Sequence, residues 1–244
     1  MIEAGGAGLV SDSLEKVRDE IVTCERCPRL REHCRTVAVT KRRAFAGEEY
    51  WGRPVPGFGD PGARLLVVGL APAAHGANRT GRMFTGDSSG NWLYRALHRF
   101  GFSSRAESKT RSDGLTLRGA YIAAVGRCAP PQNKLTVDEI RSCRPYLERE
   151  LRLLPELKVV LCLGRVAYDT CAAIFCDWGW VRKKEIPSFS HGISYSLGEG
   201  RPHVLASYHP SRQNTQTGLL TEEMLDAVVG AARRYAFPDE AGTA

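Results

Sequence analysis

Arg64-Leu-Leu-Val-Val-Gly69-Leu-Ala-Pro-Ala-Ala-His75-Gly is the stretch on which the fold turns. Its first half is an apolar run with no polar face, as a strand covered on both sides of a sheet requires. Its second half is a loop punctuated by Gly and Pro. Three more runs share that character: Ala120 to Val125, Val159 to Leu163 and His203 to Ser207. Helical spacing of apolar residues fills the intervals, in Gly90 to Phe100 (Trp92, Leu93, Leu97, Phe100) and in Thr136 to Leu154 (Ile140, Leu147, Leu151, Leu154). An amphipathic stretch, Leu220 to Tyr235, follows the last run. This alternation predicts an α/β domain, a three-layer αβα sandwich on a central four-stranded parallel sheet with right-handed crossovers.

Working outward, Ser13 to Val22 carries Leu14, Val17 and Ile21 at helical spacing, with Asp12 and Glu15 placed like a capping box. Thr36 to Gly62, with Lys41, Arg42 and Arg43 followed by several Pro and Gly, reads as an irregular surface segment outside the sheet. No internal repeat or low-complexity tract is evident. The 244 residues, 43% of them hydrophobic, suffice for one sizeable core. The expected organisation is a flexible N-terminus (1–12), a single domain (13–238) and a flexible C-terminus (239–244). Residues 1–20 lack the apolar core of a signal peptide, and no run approaches the roughly 18 apolar residues of a membrane helix. A cytoplasmic protein with no membrane association is expected. The net charge of +7 and pI of about 9.1 suit an anionic partner, nucleic acid being the commonest.

In a reducing compartment eight cysteines are ligands or buried thiols rather than disulfides. Cys24 and Cys27 form a Cys-x-x-Cys pair, and Cys128 and Cys143 flank a proline-rich loop and the start of a helix. These four make a tetrathiolate site if the fold returns the middle of the chain to its N-terminus, and Cys34 is an alternative third thiol. Such a site suits zinc or an iron–sulfur cluster, and spacing does not separate them. Cys162, Cys171 and Cys176, on or after an apolar strand, read as buried thiols.

Ligands of parallel α/β sheets bind beyond the carboxyl ends of the strands. Three polar loops emerge there: Gly69 to Asp87 with Phe84-Thr-Gly-Asp87 at its end, Cys128-Ala-Pro-Pro-Gln-Asn133-Lys134, and Tyr208-His209-Pro-Ser211-Arg212-Gln213-Asn214. With the four cysteines, the Gly-Leu-Ala-Pro-Ala-Ala-His-Gly loop running to Phe-Thr-Gly-Asp and the His-Pro-Ser loop resemble the family 5 enzymes of the uracil-DNA glycosylase superfamily, from Cys24 to the C-terminal helix. The resemblance implies the uracil-DNA glycosylase fold and a four-iron four-sulfur cluster on Cys24, Cys27, Cys128 and Cys143. It also implies a monofunctional DNA repair enzyme, expected to be a monomer, that flips uracil out of double-stranded DNA and hydrolyses its N-glycosidic bond, leaving an abasic site.

Each role has a chemical reason. A flipped base needs a flat partner, for which Phe84 is the candidate; the plainer alternative is a core aromatic. Negative charge grows on the departing base, so a donor aimed at the pyrimidine oxygen helps most, and His209 fits. Several relatives place an Asp, Asn or Glu beside Gly-x-x-Pro, where this chain has Leu70, Ala71, Ala73 and Ala74. The catalytic carboxylate that orients water is therefore expected to be Asp87, unless it is only the N-cap of the next helix. Ala73, His75 and Asn133 are the further expected substrate contacts, the Asn133 amide offering both donor and acceptor to a base edge. Ser211, Arg212 and Gln213 are expected to bind DNA, Ser211 at a phosphate and the two long side chains in the gap left by the base. Arg79, Arg82, Arg127 and Lys134 are further candidate phosphate contacts. The second run ends Ile122-Ala-Ala-Val-Gly-Arg127, with alanine where strict uracil readers carry asparagine. A looser pocket follows, with hypoxanthine and other deaminated bases as further expected substrates. The alternative is a non-catalytic, metal-stapled DNA-binding module. A base deaminase would need His-x-Glu and Pro-Cys-x-x-Cys, both absent. No nucleotide cofactor is expected, because Gly69 to Asp87 holds no Lys followed by Ser or Thr.

Overall fold

The computed structural model describes residues 12–240, so nearly all of the two expected flexible termini lies outside the described residues. All four apolar runs are strands: β2 (Leu65–Gly69), β3 (Ala120–Ala124), β4 (Val159–Leu163) and β6 (His203–Ser207). They pair in parallel in the order β3-β2-β4-β6, with Val67 beside Ile122 and Leu161, and Leu161 beside Leu205. The expected four-stranded sheet gains two antiparallel edges, β1 (Phe58–Gly59) on β3 and β5 (Ser194–Ser196) on β6. Neither edge carries an apolar run, being two residues long in one case and Ser-Tyr-Ser in the other.

Strand alternation divides the core between the two faces. Leu65, Val67, Ile122, Leu161 and Leu205 pack with α4 (Ser88–Arg99) and α8 (Glu222–Ala236). Leu66, Val68, Ala123, Val160 and Ala206 pack with α5 (Val137–Arg152) and α6 (Arg165–Asp177). Between β2 and α4 the chain makes one further helical turn, α3 (Ala77–Thr80). Thr136 and Glu139 close the capping box of α5 reciprocally, at 3.2 and 2.8 Å. α6 is an addition to the helices expected from spacing, although Ala167, Cys171, Ile174 and Phe175 bury one helical face.

Two expectations near the N-terminus are corrected. α1 (Leu14–Val22) is capped by Ser13, whose hydroxyl accepts from the Lys16 amide at 3.1 Å, while the Asp12 carboxylate bonds the Ser13 amide and Arg149. α2 (Pro28–Thr40) runs into the segment expected to be irregular from Thr36. Pro28 opens it at a position that needs no amide donor, and Leu30, Cys34 and Val37 bury a stripe at i, i+4, i+7. α1 packs on α5 through Val17, Ile21 and Tyr146, and α2 lays Leu30 and Cys34 on Cys128 and Ala129. Among the described residues no helix is long and apolar enough to cross a membrane.

The chain leaves β2 for β3 on one side and returns past β2 to place β4 on the other. The crossovers therefore diverge between β2 and β4, and the loops at their carboxyl ends part into a crevice.

Candidate active site

A cavity of about 550 Å³ opens at that divergence. The β2 loop contributes Ala73 and Asp87, the β3 loop Asn133, the β4 end Gly164, and the β6 loop His209 and Arg212. Three loops read separately from the sequence thus meet around one space of the size that holds a small ligand.

Asp87 serves two structural functions at once. It is the N-cap of α4, its Oδ1 accepting from the Gly90 amide at 2.9 Å, and it lines the cavity. Burial pushes its carboxyl above the ordinary carboxylate range, against the opposing pull of the Gly90 and Ser89 amides and the Arg79 charge. Gly76 makes room for it, because a Cβ there would stand 2.0 Å from Asp87 Oδ2. The plainer reading of Asp87 as a cap is therefore correct, and it leaves the carboxylate in the cavity wall.

His209 follows β6 directly, and its carbonyl is held by the Ser211 amide at 2.7 Å and the Asn214 side chain at 2.9 Å. Burial pushes its imidazole down to about 4, so at neutral pH the ring is uncharged, with one N–H to donate. Phe84 stacks on it at 5.8 Å between centroids and 27° between planes. The Phe84 ring also fills the space where a Cβ on Gly69 would stand, 2.7 Å from Cζ. Phe84 is only 9% exposed and belongs to the core, so it stands behind His209 rather than in the outlined wall. Its φ of +53° and the successive values of +55° and +56° at Gln132 and Asn133 are left-handed conformations at non-glycine residues. Such outliers persist where the surroundings enforce them, and they gather at functional sites.

Other expected residues separate into two groups. Ser211, Arg212 and Gln213 line the cavity mouth, Ser211 as the N-cap of α7 (Arg212–Gln216) with Arg212 and Gln213 exposed. His75 points away from the cavity, its Nδ1 sharing a hydrogen bond of 3.1 Å with the Tyr50 hydroxyl. The arginines suggested for phosphate contacts are internal. Arg79 pairs with Glu48 and bonds the carbonyls of His75 and Gly86; Arg82 bonds Asp113, Ser108 and Thr85. Arg127 forms a buried pair with Glu150 beneath the Cys128 loop. Phe189, Tyr208 and the start of α6 also line the cavity, beyond the residues expected from the sequence. Tyr208 had a signal in its adjacency to His209; Phe189, in a loop between α6 and β5, had none.

The four expected thiols converge at the ends of α1 and α2, the β3 loop and α5. Cys27 is the N-cap residue of α2, and Cys128 and Cys143 are buried. Burial, then the proximity of Cys143 and Cys24, pushes the Cys27 thiol up to about 11; burial also raises Cys143, which feels Cys24. Cys34 forms a hydrogen bond with Cys128, which raises the Cys128 thiol, and its Sγ lies 3.7 Å from the Ala129 carbonyl. Among the described residues no three Cys, His, Asp or Glu side chains stand close enough to chelate one ion. An all-sulfur donor set suits an iron–sulfur cluster as well as zinc.

Residues 56–233 match the family model described as the uracil DNA glycosylase superfamily. A type-5 uracil-DNA glycosylase of Thermus thermophilus is 54% identical over 216 residues, covering 88% of this chain and 95% of that protein. A type-5 uracil-DNA glycosylase of Mycobacterium leprae is 47% identical over 234 residues, covering 96% of this chain and 98% of that protein. A type-4 uracil-DNA glycosylase of Sulfurisphaera tokodaii is 30% identical over 155 residues, covering 63% of this chain and 56% of that protein.

Proposed function

Because the chain belongs to the uracil DNA glycosylase superfamily, we propose that the cavity between β2 and β4 receives a base flipped out of double-stranded DNA and that Asp87 and His209 cut it from its sugar. The protein is a DNA repair hydrolase that excises uracil from DNA. The observation that carries the site assignment is a half-buried carboxylate and an uncharged histidine, delivered from different strand ends, lining one cavity.

In the reaction the bond between the sugar carbon and the base nitrogen breaks, and its electron pair departs with the base. The neutral His209 donates its N–H to the base oxygen on which that charge collects. Asp87 accepts a hydrogen bond from water, turns the water's lone pair toward the cationic sugar carbon and takes its proton as the new C–O bond forms. Phe84 supports His209 from behind, its ring stacked on the imidazole. Ala73 keeps the wall shallow, and Asn133 reads the base edge with its amide. Ser211 holds a backbone phosphate while Arg212 and Gln213 occupy the vacated stack. His75 contributes to the substrate site from outside the cavity, by anchoring the loop through Tyr50.

Cys24, Cys27, Cys128 and Cys143 would hold a four-iron four-sulfur cluster that ties α1 and α2 to the β3 loop and supplies no chemistry at the base. Iron and sulfide in equal amounts after anaerobic preparation support this; a colourless protein holding zinc alone overturns it. We assign the protein to the cytoplasm as a monomer, the compartment because eight cysteines read as ligands or buried thiols suit a reducing environment. Breadth toward hypoxanthine rests on the alanine near the end of β3, where strict uracil readers carry asparagine, and excision of uracil alone from a panel of damaged-base duplexes would refute it. A purely DNA-binding module has no need of this cavity. The test is a labelled uracil-containing duplex: base release with strand scission only after alkali is expected, and a duplex that survives alkali intact would refute excision.

A further inference from the structure

The outer side of the active-site loop carries a second structure, which includes the Tyr50 that anchors His75. Residues 41–52 form a strap across it. The amides of Trp51 and Gly52 donate to the carbonyls of Arg79 and Asn78, at 2.9 and 3.0 Å. Arg79 lies over the Phe45 ring at 3.9 Å and pairs with Glu48. The Tyr50 hydroxyl accepts the Arg42 amide at 3.3 Å and meets His75 Nδ1 at 3.1 Å. Two residues before His75, Ala73 lines the cavity, so this loop has one side on the substrate space and the other on the strap.

What the strap displays is charge. Lys41, Arg42 and Arg43 are consecutive, and the Arg42 and Arg43 side chains are exposed with no hydrogen-bond or carboxylate partner among the described residues. The internal arginines of the same region are all paired. Lys41, which joins α2 to the strap, has φ +52° and ψ 174°, a conformation close to one reserved almost entirely for glycine. A lysine there accepts strain that glycine would avoid, while its Nζ bonds the Ala46 carbonyl at 3.3 Å. Burial first, and then the nearby charge of Arg42, hold the His75 imidazole below its ordinary range.

We propose that the Lys41–Arg43 strap grips the DNA phosphate backbone on the flank of the flipped nucleotide away from Arg212 and Gln213, with the Tyr50–His75 bond fixing that grip to the active-site loop. The proposal rests on the glycosylase reading of the cavity. Free guanidinium groups on an anchored segment are suited to phosphate oxygens, and such contacts set register without reading sequence.

The test is binding to a duplex carrying a tetrahydrofuran abasic site, followed by fluorescence anisotropy over a series of salt concentrations. Loss of two phosphate contacts in R42A/R43A should make the slope of log K against log salt shallower by about 1.8, at about 0.9 per contact. R18A/R141A removes two exposed charges from α1 and α5 and should leave the slope as in the parent protein. An unchanged slope in R42A/R43A, or equal changes in both double variants, overturns the grip even though the parent excises uracil. Failure of the parent to release uracil overturns instead the reading on which the grip rests.

Discussion

Replacing Asp87 separates two tasks that one side chain performs. Asparagine keeps an oxygen for the Gly90 amide, so Asp87→Asn should preserve the cap of α4, whereas Asp87→Ala removes it at about 1 kcal/mol. The sign of the charge effect follows from the raised pKa. A carboxyl held above 3.8 favours the native state most when protonated, and that contribution is lost as pH rises through the folded value. At neutral pH Asp87→Asn should therefore melt no lower than the parent, and Asp87→Ala about 2–4 °C below Asp87→Asn for a chain of this size. Activity should rank differently. Both variants lose the carboxylate that orients water, worth about 100- to 10,000-fold, or about 2.7–5.4 kcal/mol of barrier. Single-turnover release of uracil from a duplex, measured across pH, gives the rate. The parent should lose activity toward acid as Asp87 gains its proton, and Asp87→Asn should be slow without that acid limb. A parental rate in Asp87→Asn would refute the water-orienting role; equal melting losses in both variants would refute the capping argument.

Three other outcomes follow from the same geometry. Because burial holds His209 near 4 against an ordinary 6.5, native stability is fully present above pH 6.5 and is lost as pH falls toward 4, by about 3 kcal/mol. His209→Asn should lack that loss in denaturant titrations at pH 7 and pH 4, and an unaltered loss would place the histidine elsewhere in the pH response. Gly76→Ala should displace the Asp87 carboxylate, because the new methyl needs the space of Oδ2; uracil release should fall at least tenfold with melting within a few degrees of the parent, and a parental rate would show that the loop yields freely. Cys143→Ser should reduce bound iron and loosen α1 and α2, read as faster hydrogen exchange in those helices; full iron retention would remove Cys143 from the ligand set.

The strands of the central sheet were legible because burial on both faces leaves no polar positions to confuse the pattern. Val159–Leu163 and His203–Ser207 agree residue for residue with their apolar runs. The edges β1 and β5 were not legible, since an edge needs only backbone pairing and its side chains face water. α2 and α6 were hidden for another reason: their buried stripes include Arg31, Cys34, Thr170 and Cys171, which do not read as apolar. At the site, order along the chain was enough to bring out Asp87, His209 and Asn133, because each follows a strand whose carboxyl end faces the crevice. Direction was not available from order. His75 and Arg79 lie in the same loop, yet one faces the strap and the other turns inward to carbonyls and Glu48. Phe189 reaches the cavity only because α6 and its following loop fold back over β4, a tertiary fact with no local signature.

Gly69 and Gly76 shape the pocket by what they lack: one yields its side-chain space to the Phe84 ring, the other to the Asp87 carboxylate. Part of the active site is thus written as omissions, and an omission admits no gradual change. Any methyl added at either position moves a working group, so selection has no small steps to try there. New lesion preferences in this scaffold should instead evolve at Asn133 and the loop after His209, which line the cavity and where side chains can be exchanged without disturbing the carboxylate. A library diversified at those positions and screened on altered bases would yield active variants, while one diversified at the two glycines would yield almost none.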